Sequence, residues 1–275
     1  MAEKAILFDA SKCTACRGCQ VACKQWNEND EYIPTTTNGV AITNRGSYEN
    51  PPDLSASTWL KIRFTEHEEN GRLSWLFTRR ACMHCTDAAC LKVCPNNSVY
   101  RNEATGFVEF NRDTCTGCGY CTDACPFEVP KATGNILTGI AKMDKCTLCT
   151  TQGLNRLDAG LAPACVKTCP TGALQYGDRA DLVAAAKARA ADLRGRGYPQ
   201  ARVYGEHELG GLHVMYVLQY PAEAYGLPAD PRISPASIAW KDVLQPVGWA
   251  VGGLTMVGLA LNWVIARKSA GQEVK

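Results

Sequence analysis

Sixteen cysteines stand in four groups of four: Cys13, Cys16, Cys19 and Cys23; Cys82, Cys85, Cys90 and Cys94; Cys115, Cys118, Cys121 and Cys125; Cys146, Cys149, Cys165 and Cys169. None is left over. Group three, CTGCGYCTDACP, has the spacing C-x2-C-x2-C-x3-C-P, in which a tight turn curls three thiolates around one iron–sulfur cubane while the fourth points to a neighbouring one. The other groups vary this pattern. Group two has four residues before its third cysteine, group four has fifteen (150–164), and group one has Lys24 where proline is usual, but all four end in C-x3-C. The chemistry implied is electron transfer through four [4Fe–4S] clusters, arranged in pairs.

Zinc and disulfides are the competing uses of such residues. Structural zinc draws its ligands two by two from separated C-x2-C knuckles, which group four alone would fit and the tight turns of groups one and three would not. Cysteine makes up about 6% of the 275 residues, below the roughly 8–10% of a short disulfide scaffold, and the chain is long enough to need none. Groups two and three lie 33 positions apart, Cys82 to Cys115, about one ferredoxin half. Each half of a two-cluster ferredoxin gives three cysteines to one cluster and its last to the other. The predicted ligand sets are therefore Cys13, Cys16, Cys19 and Cys169 (cluster 1); Cys82, Cys85, Cys90 and Cys125 (cluster 2); Cys115, Cys118, Cys121 and Cys94 (cluster 3); and Cys146, Cys149, Cys165 and Cys23 (cluster 4).

An oxidised cubane with four thiolates carries about −2, so basic neighbours are expected to raise and separate the potentials. Lys12, Arg17, Lys24, Lys92, Arg112, Lys142, Lys145 and Lys167 lie within a few residues of a ligand, although any one of them reads equally well as an ordinary solvated side chain. His67, His84, His207 and His213 are the only histidines, and none is expected to be a ligand because the cysteines close every site; His84 falls inside a C-x2-C loop without an assigned role.

The scaffold must hold these groups with less aliphatic material than usual. The hydrophobic fraction is 46% with the cysteines counted and roughly 40% without, against roughly 45–50% in a typical domain. Formal charge is +2, with no basic block of the kind a nucleic-acid binder carries. Residues 35–57 read as loop; 59–64 and 72–77 about Asn70-Gly71 read as a hairpin, and 98–101 and 107–110 about Thr105-Gly106 as a second. Residues 181–193 are predicted helical, with Leu182, Ala186, Ala190 and Leu193 on one face packing against the cluster domain, ending near Gly195 and Gly197. Residues 213–220 read as a strand and 221–235 as an extended arm. Residues 247–266 are twenty uncharged residues, enough to cross a ~30 Å hydrocarbon core, with Trp249 and Trp263 near its ends and Gly248, Gly252, Gly253 and Gly258 giving a face for packing on a partner membrane helix.

The expected fold is α+β: two bacterial-ferredoxin-like modules related by pseudo-symmetry, with hairpin and loop insertions, plus one C-terminal transmembrane helix. Module A comprises 1–24 and 142–180, an insertion 25–81, module B 82–141, a helix, strand and arm 181–239, the anchor 240–268 and a tail 269–275. Arg267 and Lys268 after the span place the C-terminus in the cytoplasm and the cluster domain on the periplasmic side of the inner membrane. No signal peptide is expected at the N-terminus, so the folded domain would cross on a partner that carries the export signal.

The motifs CRGCQVACKQWN, NPPDLSASTW, CMHCTDAACLKVCP, CTGCGYCTDACPFEVP, KCTLC and PACVKTCPTGA fit several four-cluster relay subunits, including those serving hydrogenase, polysulfide reductase or dimethyl sulfoxide reductase. With GGLHVMYVLQYPAEAYGLPADPRI and the C-terminal span added, the chain resembles the iron–sulfur (beta) subunit of membrane-bound respiratory formate dehydrogenase. That resemblance implies a molybdenum or tungsten bis-pterin catalytic (alpha) subunit, a cytochrome b (gamma) membrane subunit, assembly into a higher oligomer of the heterotrimer, and passage of electrons to haem b and quinone. It implies no catalytic residue in this chain.

Overall fold

The computed structural model describes residues 3–29, 36–37, 40–41, 48–69, 71–133, 141–151, 153 and 155–272. Two units separate, Met1–Ile233 and Ser234–Lys275. In the first, the elements in chain order are β1 (Lys4–Asp9), α1 (Gly18–Trp26), β2 (Thr36–Thr37), β3 (Val40–Ala41), β4 (Leu60–Glu69), β5 (Arg72–Ala81), α2 (Ala89–Lys92), β6 (Val99–Arg101), β7 (Val108–Phe110), α3 (Tyr120–Ala124), β8 (Lys131–Thr133), β9 (Lys142–Asp144), α4 (Ala164–Thr168), β10 (Leu174–Asp178), α5 (Arg179–Gly195), β11 (Arg202–Tyr204) and β12 (Val214–Leu218).

One four-stranded sheet, in the order β10-β1-β12-β11, divides the interior. β1 runs antiparallel to β10 and parallel to β12, with Ile6 opposite both Tyr176 and Val214. Both central strands are buried on both faces, which is why AILF and VMYVL read as unbroken apolar runs. Their alternation sorts the core. Ala5, Leu7, Met215 and Val217 meet Leu182, Ala186, Ala190 and Leu193 of α5, whereas Ile6, Phe8, Val214, Tyr216 and Leu218 join a core that contains Cys19, Cys23, Cys82, Cys146 and Cys165. The predicted stripe on α5 is thus in place, with the sheet standing between it and the cysteines. An isolated helix of this length is marginal, and burying Leu182 and Leu193 contributes roughly 3–6 kcal/mol to holding it on the sheet.

The hairpins pair as the turn residues suggest. β4 and β5 run antiparallel from Glu69 opposite Arg72 to Leu60 opposite Ala81, longer than the apolar runs because the polar outer half also pairs. β6 and β7 pair about Gly106, whose φ of 81° and whose approach to the His213 ring, 2.3 Å from where a Cβ would lie, both call for glycine. β8 pairs with β9, and β2 with β3 inside the predicted loop; such short ladders carry no readable periodicity. Of the predicted arm, Ala222–Tyr225 forms a 3-10 turn that buries Ala222 and Tyr225 in the core.

In the second unit, α6 (Pro235–Ala239) and a π-helical turn, Trp240–Leu244, lead into α7 (Gln245–Gln272). Gln245–Arg267 has a mean hydropathy of 1.6 over its most apolar window, and at 1.5 Å per residue it is about 35 Å long. Leu254, Met256, Leu259 and Leu261 are exposed on all sides of it, so this helix is apolar all round with no protein core to bury it. Arg267 lies 5.0 Å over the Trp263 ring at its end.

Candidate metal centres

The same loop conformation recurs at all four cysteine groups. The residue two after each first cysteine, Ala15, His84, Gly117 and Leu148, is left-handed, with φ of 53°, 49°, 68° and 55°. That twist turns its N–H back onto the preceding sulfur: Ala15 donates to Cys13 Sγ, Gly117 to Cys115 Sγ and Leu148 to Cys146 Sγ, each at 3.4 Å, and His84 N–H likewise favours a Cys82 thiolate. Non-glycine residues reach this region only at a cost, so three of the four loops hold a strained residue where it aims a dipole at sulfur. In groups one and three a second left-handed residue, Arg17 or Gly119, starts the helix that carries the later cysteines. Cys125 and Cys169 close α3 and α4 in extended conformation ahead of Pro126 and Pro170. Group one lacks that proline, and α1 runs on through Cys23 to Trp26.

None of the sixteen sulfurs is paired in a disulfide. Cys13 feels the charge of Cys169 and Cys16; Cys19 that of Cys165, then Cys13 and Cys16; Cys23 that of Cys146, Cys165 and Cys149. Cys85 faces Cys82, Cys125 and Cys90, while Cys121 faces Cys118, Cys115 and Cys94. Cys82, Cys85, Cys90 and Cys125 also line one cavity together with His84 and Lys145. Between these sets, Cys19 adjoins Cys165, Cys82 adjoins Cys146 and Cys90 adjoins Cys121. Burial pushes the thiols of Cys19, Cys121 and Cys149 up to about 12 and those of Cys23 and Cys85 well up. Ionising them takes a cation that binds thiolate, as iron does.

The donor set fits iron–sulfur clusters on three counts: free sulfurs in groups, N–H dipoles aimed at sulfur, and buried cations with no carboxylate partner. Among the described residues no three Cys, His, Asp or Glu side chains converge as one small ion requires. Of the eight basic neighbours, Lys145 alone is buried; its Nζ donates to Val108 O and, at 3.2 Å, to Cys146 O. Arg112 and Lys92 are exposed and pair with the buried Asp144 and the exposed Asp87, and Lys142 Nζ donates to Cys115 O at 2.6 Å. Arg79, three residues before Cys82 and so as near a ligand as these, is fully buried on a strand that is amphipathic only in part. His84 proves to have a structural role, since its Nδ1 accepts the Val108 N–H at 3.1 Å and burial, with Lys145 nearby, keeps the ring neutral.

Comparison with known proteins bears on the same residues. The family described as a 4Fe-4S dicluster domain matches residues 73–179. The chain is 41% identical to the nitrate-inducible formate dehydrogenase iron-sulfur subunit of Escherichia coli (strain K12), over 96% of this chain and 85% of that protein. It is 44% identical to the formate dehydrogenase iron-sulfur subunit of Haemophilus influenzae, over 94% and 79%. Identity is 32% to the hydrogenase-2 operon protein HybA of Escherichia coli O157:H7, over 81% and 72%.

Proposed function

Because the chain belongs to the iron–sulfur, electron-transferring subunits of formate dehydrogenase, we propose that it joins a molybdenum or tungsten bis-pterin catalytic subunit to a cytochrome b membrane subunit and carries four [4Fe–4S] clusters between them. A bound [4Fe–4S] cluster supplies a one-electron couple whose potential follows charge, hydrogen bonds to sulfur and exposure. The ligand sets proposed are Cys13, Cys16, Cys19 with Cys169; Cys146, Cys149, Cys165 with Cys23; Cys82, Cys85, Cys90 with Cys125; and Cys115, Cys118, Cys121 with Cys94. The single observation that carries this reading is the left-handed turn repeated two residues after Cys13, Cys82, Cys115 and Cys146. The crossing of the fourth cysteines is supported by Cys23, on which Cys146, Cys165 and Cys149 act more strongly than any other cysteine.

The adjoining sulfurs order the sets in a row, 1, 4, 2, 3, so that two modules of two sets meet where Cys146 adjoins Cys82. This chain's residues hold and insulate that row: backbone N–H groups orient the sulfurs, and the sheet seals one flank. The apolar α7 anchors the chain in the inner membrane as a single pass, with the cluster unit on the periplasmic side and quinone reduced by the cytochrome partner. No residue of this chain is assigned to formate oxidation itself, and the heterotrimer is proposed to associate further.

Purification through this subunit in mild detergent tests the reading. It should yield a brown complex with about 16 iron and 16 labile sulfide per chain, bleached by dithionite, with a large pterin subunit that oxidises formate. A colourless preparation containing zinc refutes it. Co-purification of a hydrogenase would favour the second reading, for which the 32% identity to a hydrogenase-2 operon protein is the supporting observation.

A further inference from the structure

Seven Asp, Glu, Lys and Arg side chains are buried among the described residues, and all but three have a carboxylate, a cation or polar side chains to answer them. Lys61 pairs with Glu49, Asp9 with Arg189 and Asp144 with Arg112. Glu109 accepts from Tyr100 and Asn102. Arg156 donates to Ala162 O and stacks over Trp26 at 4.4 Å, with one guanidinium nitrogen unpartnered among the described residues, and acts on Cys149. Arg79 differs. Its side chain is wholly buried, none of its three guanidinium nitrogens makes a hydrogen bond of good geometry among the described residues, and the groups within its reach are the Cys165 sulfur and the Tyr216 phenol. Lys145, 1% exposed, reaches only two backbone carbonyls and the Phe110 ring, 5.5 Å away. A cation buried without an anion is strongly unfavourable, so a fold that keeps such groups must answer them with negative charge that the polypeptide itself does not carry.

What surrounds them is sulfur. Arg79 acts on Cys165, Cys146 and Cys19, beside the phenol of Tyr216, and also on Cys23 and Cys82. Lys145 acts on Cys82 and Cys90. One cation precedes Cys82 by three residues and the other precedes Cys146 by one, and these are the two cysteines that adjoin across the proposed modules. A guanidinium stays protonated in proteins, so Arg79 brings a full positive charge into this interior.

We propose that Arg79 and Lys145 are the counter-cations of the two clusters that meet at the module junction, raising the reduction potentials of the pair held by Cys146, Cys149, Cys165 and Cys23 and by Cys82, Cys85, Cys90 and Cys125. This rests on the ligand sets proposed above. Reduction adds one negative charge to a cluster, and a fixed cation behind the protein surface stabilises that charge without dilution by water or salt. The exposed cations near the two outer sets, Lys12 and Lys92 among them, are screened and paired with Asp9 and Asp87. The two cations therefore favour residence of an electron at the junction, where it must pass from one module to the other. They are positioning residues in the electrostatic sense and touch no substrate.

The test is a redox titration followed by electron paramagnetic resonance on the intact, detergent-purified complex, with iron and labile sulfide counted first. Wild type is compared with Arg79→Met, Arg79→Lys and Lys145→Met. With about 16 iron retained, each methionine variant should lower the midpoint of one or both junction clusters by about 59 mV or more, a tenfold change in a one-electron equilibrium, and leave the outer two unmoved. Arg79→Lys keeps the charge and should restore most of the shift, and the shift should survive high salt. Unshifted junction clusters in both methionine variants overturn the proposal, as does an Arg79→Lys shift equal to that of Arg79→Met. If Arg79→Met does not assemble, Lys145→Met decides alone by the same criterion. A wild-type complex short of four clusters would instead bring down the ligand sets, and this inference with them.

Discussion

Two glycines in group three permit a matched test of the recurring cysteine loop. Gly117 and Gly119 both have left-handed φ, 68° and 82°, so an alanine at either meets the same local cost, roughly 1–2 kcal/mol. Their surroundings differ. A Cβ on Gly117 would lie 2.2 Å from the carbonyl oxygen of Ala141 and 2.5 Å from its Cβ, while a Cβ on Gly119 meets nothing within 4 Å. Backbone cannot swing aside as a long side chain can, so the loop must move; overpacking of this kind adds about 1–3 kcal/mol. Gly117→Ala should therefore cost about 2–5 kcal/mol against about 1–2 for Gly119→Ala. The strain falls between Cys115 and Cys118, on the residue whose N–H points at Cys115 Sγ. Gly117→Ala should lose one of the four clusters, about a quarter of the iron and labile sulfide, with a lowered Tm, whereas Gly119→Ala should keep full iron and lose only a few degrees. Equal damage from both substitutions would show that the left-handed turn alone matters and that the packing argument is wrong.

Other consequences follow from the scaffold. Ala186 is completely buried between α5 and the sheet, so Ala186→Leu should cost about 1–3 kcal/mol by overpacking, seen as a lower Tm at unchanged iron content because the sheet separates it from the cysteines. Burial holds the His213 ring below the usual histidine range, with Arg101 and Arg179 acting in the same direction and the bond from Nδ1 to Lys4 O and the charge of Glu3 opposing it. The unfolded chain thus binds a proton at His213 before the folded one does, and stability should fall as pH drops below about 6.5 toward the depressed folded value. His213→Gln should flatten that fall in Tm scans between pH 7.5 and 5.5; an unchanged slope would place the acid sensitivity elsewhere. Leu254→Arg puts a charge near the middle of α7, at roughly 2.5–3.5 kcal/mol for insertion, and should release part of the protein from membranes on carbonate extraction.

The cysteine loops were legible because their chemistry is local: a C-x2-C loop specifies its own turn whatever surrounds it. The hairpins at 60–81 and 99–110 announced themselves through Asn-Gly and Thr-Gly turns, and α5 through its stripe at Leu182, Ala186, Ala190 and Leu193. Parallel pairing of β1 with β12 was out of reach, since it joins segments some two hundred residues apart and both strands are apolar throughout, leaving no alternation to tell one face from the other. The short ladders β8 with β9 and β2 with β3 are held by their neighbours and not by pattern. The burial of His84 and Arg79 is not legible for one reason: it depends on what folds over a polar side chain, and in β5 the buried positions Leu76, Thr78, Arg79 and Ala81 follow no strict period.

Charge decides which of the basic residues matter. The polypeptide is formally +2, and four oxidised clusters at about −2 each would take the loaded chain to about −6. Proximity in sequence nominated eight cations to answer that charge, as though each counted alike. It does not: a unit charge about 8 Å from a cluster is worth about 2 kcal/mol at an effective dielectric of 20 and about a quarter of that in water. Seven of the eight keep contact with solvent, and Lys145 alone lies in the interior, where Arg79 joins it from a strand that sequence proximity did not weight. Two buried cations therefore outweigh the larger number outside, and both stand where groups two and four adjoin. A relay built this way would set its internal energy profile from the core, independent of ionic strength, while its surface charges remain free to serve docking to partner subunits.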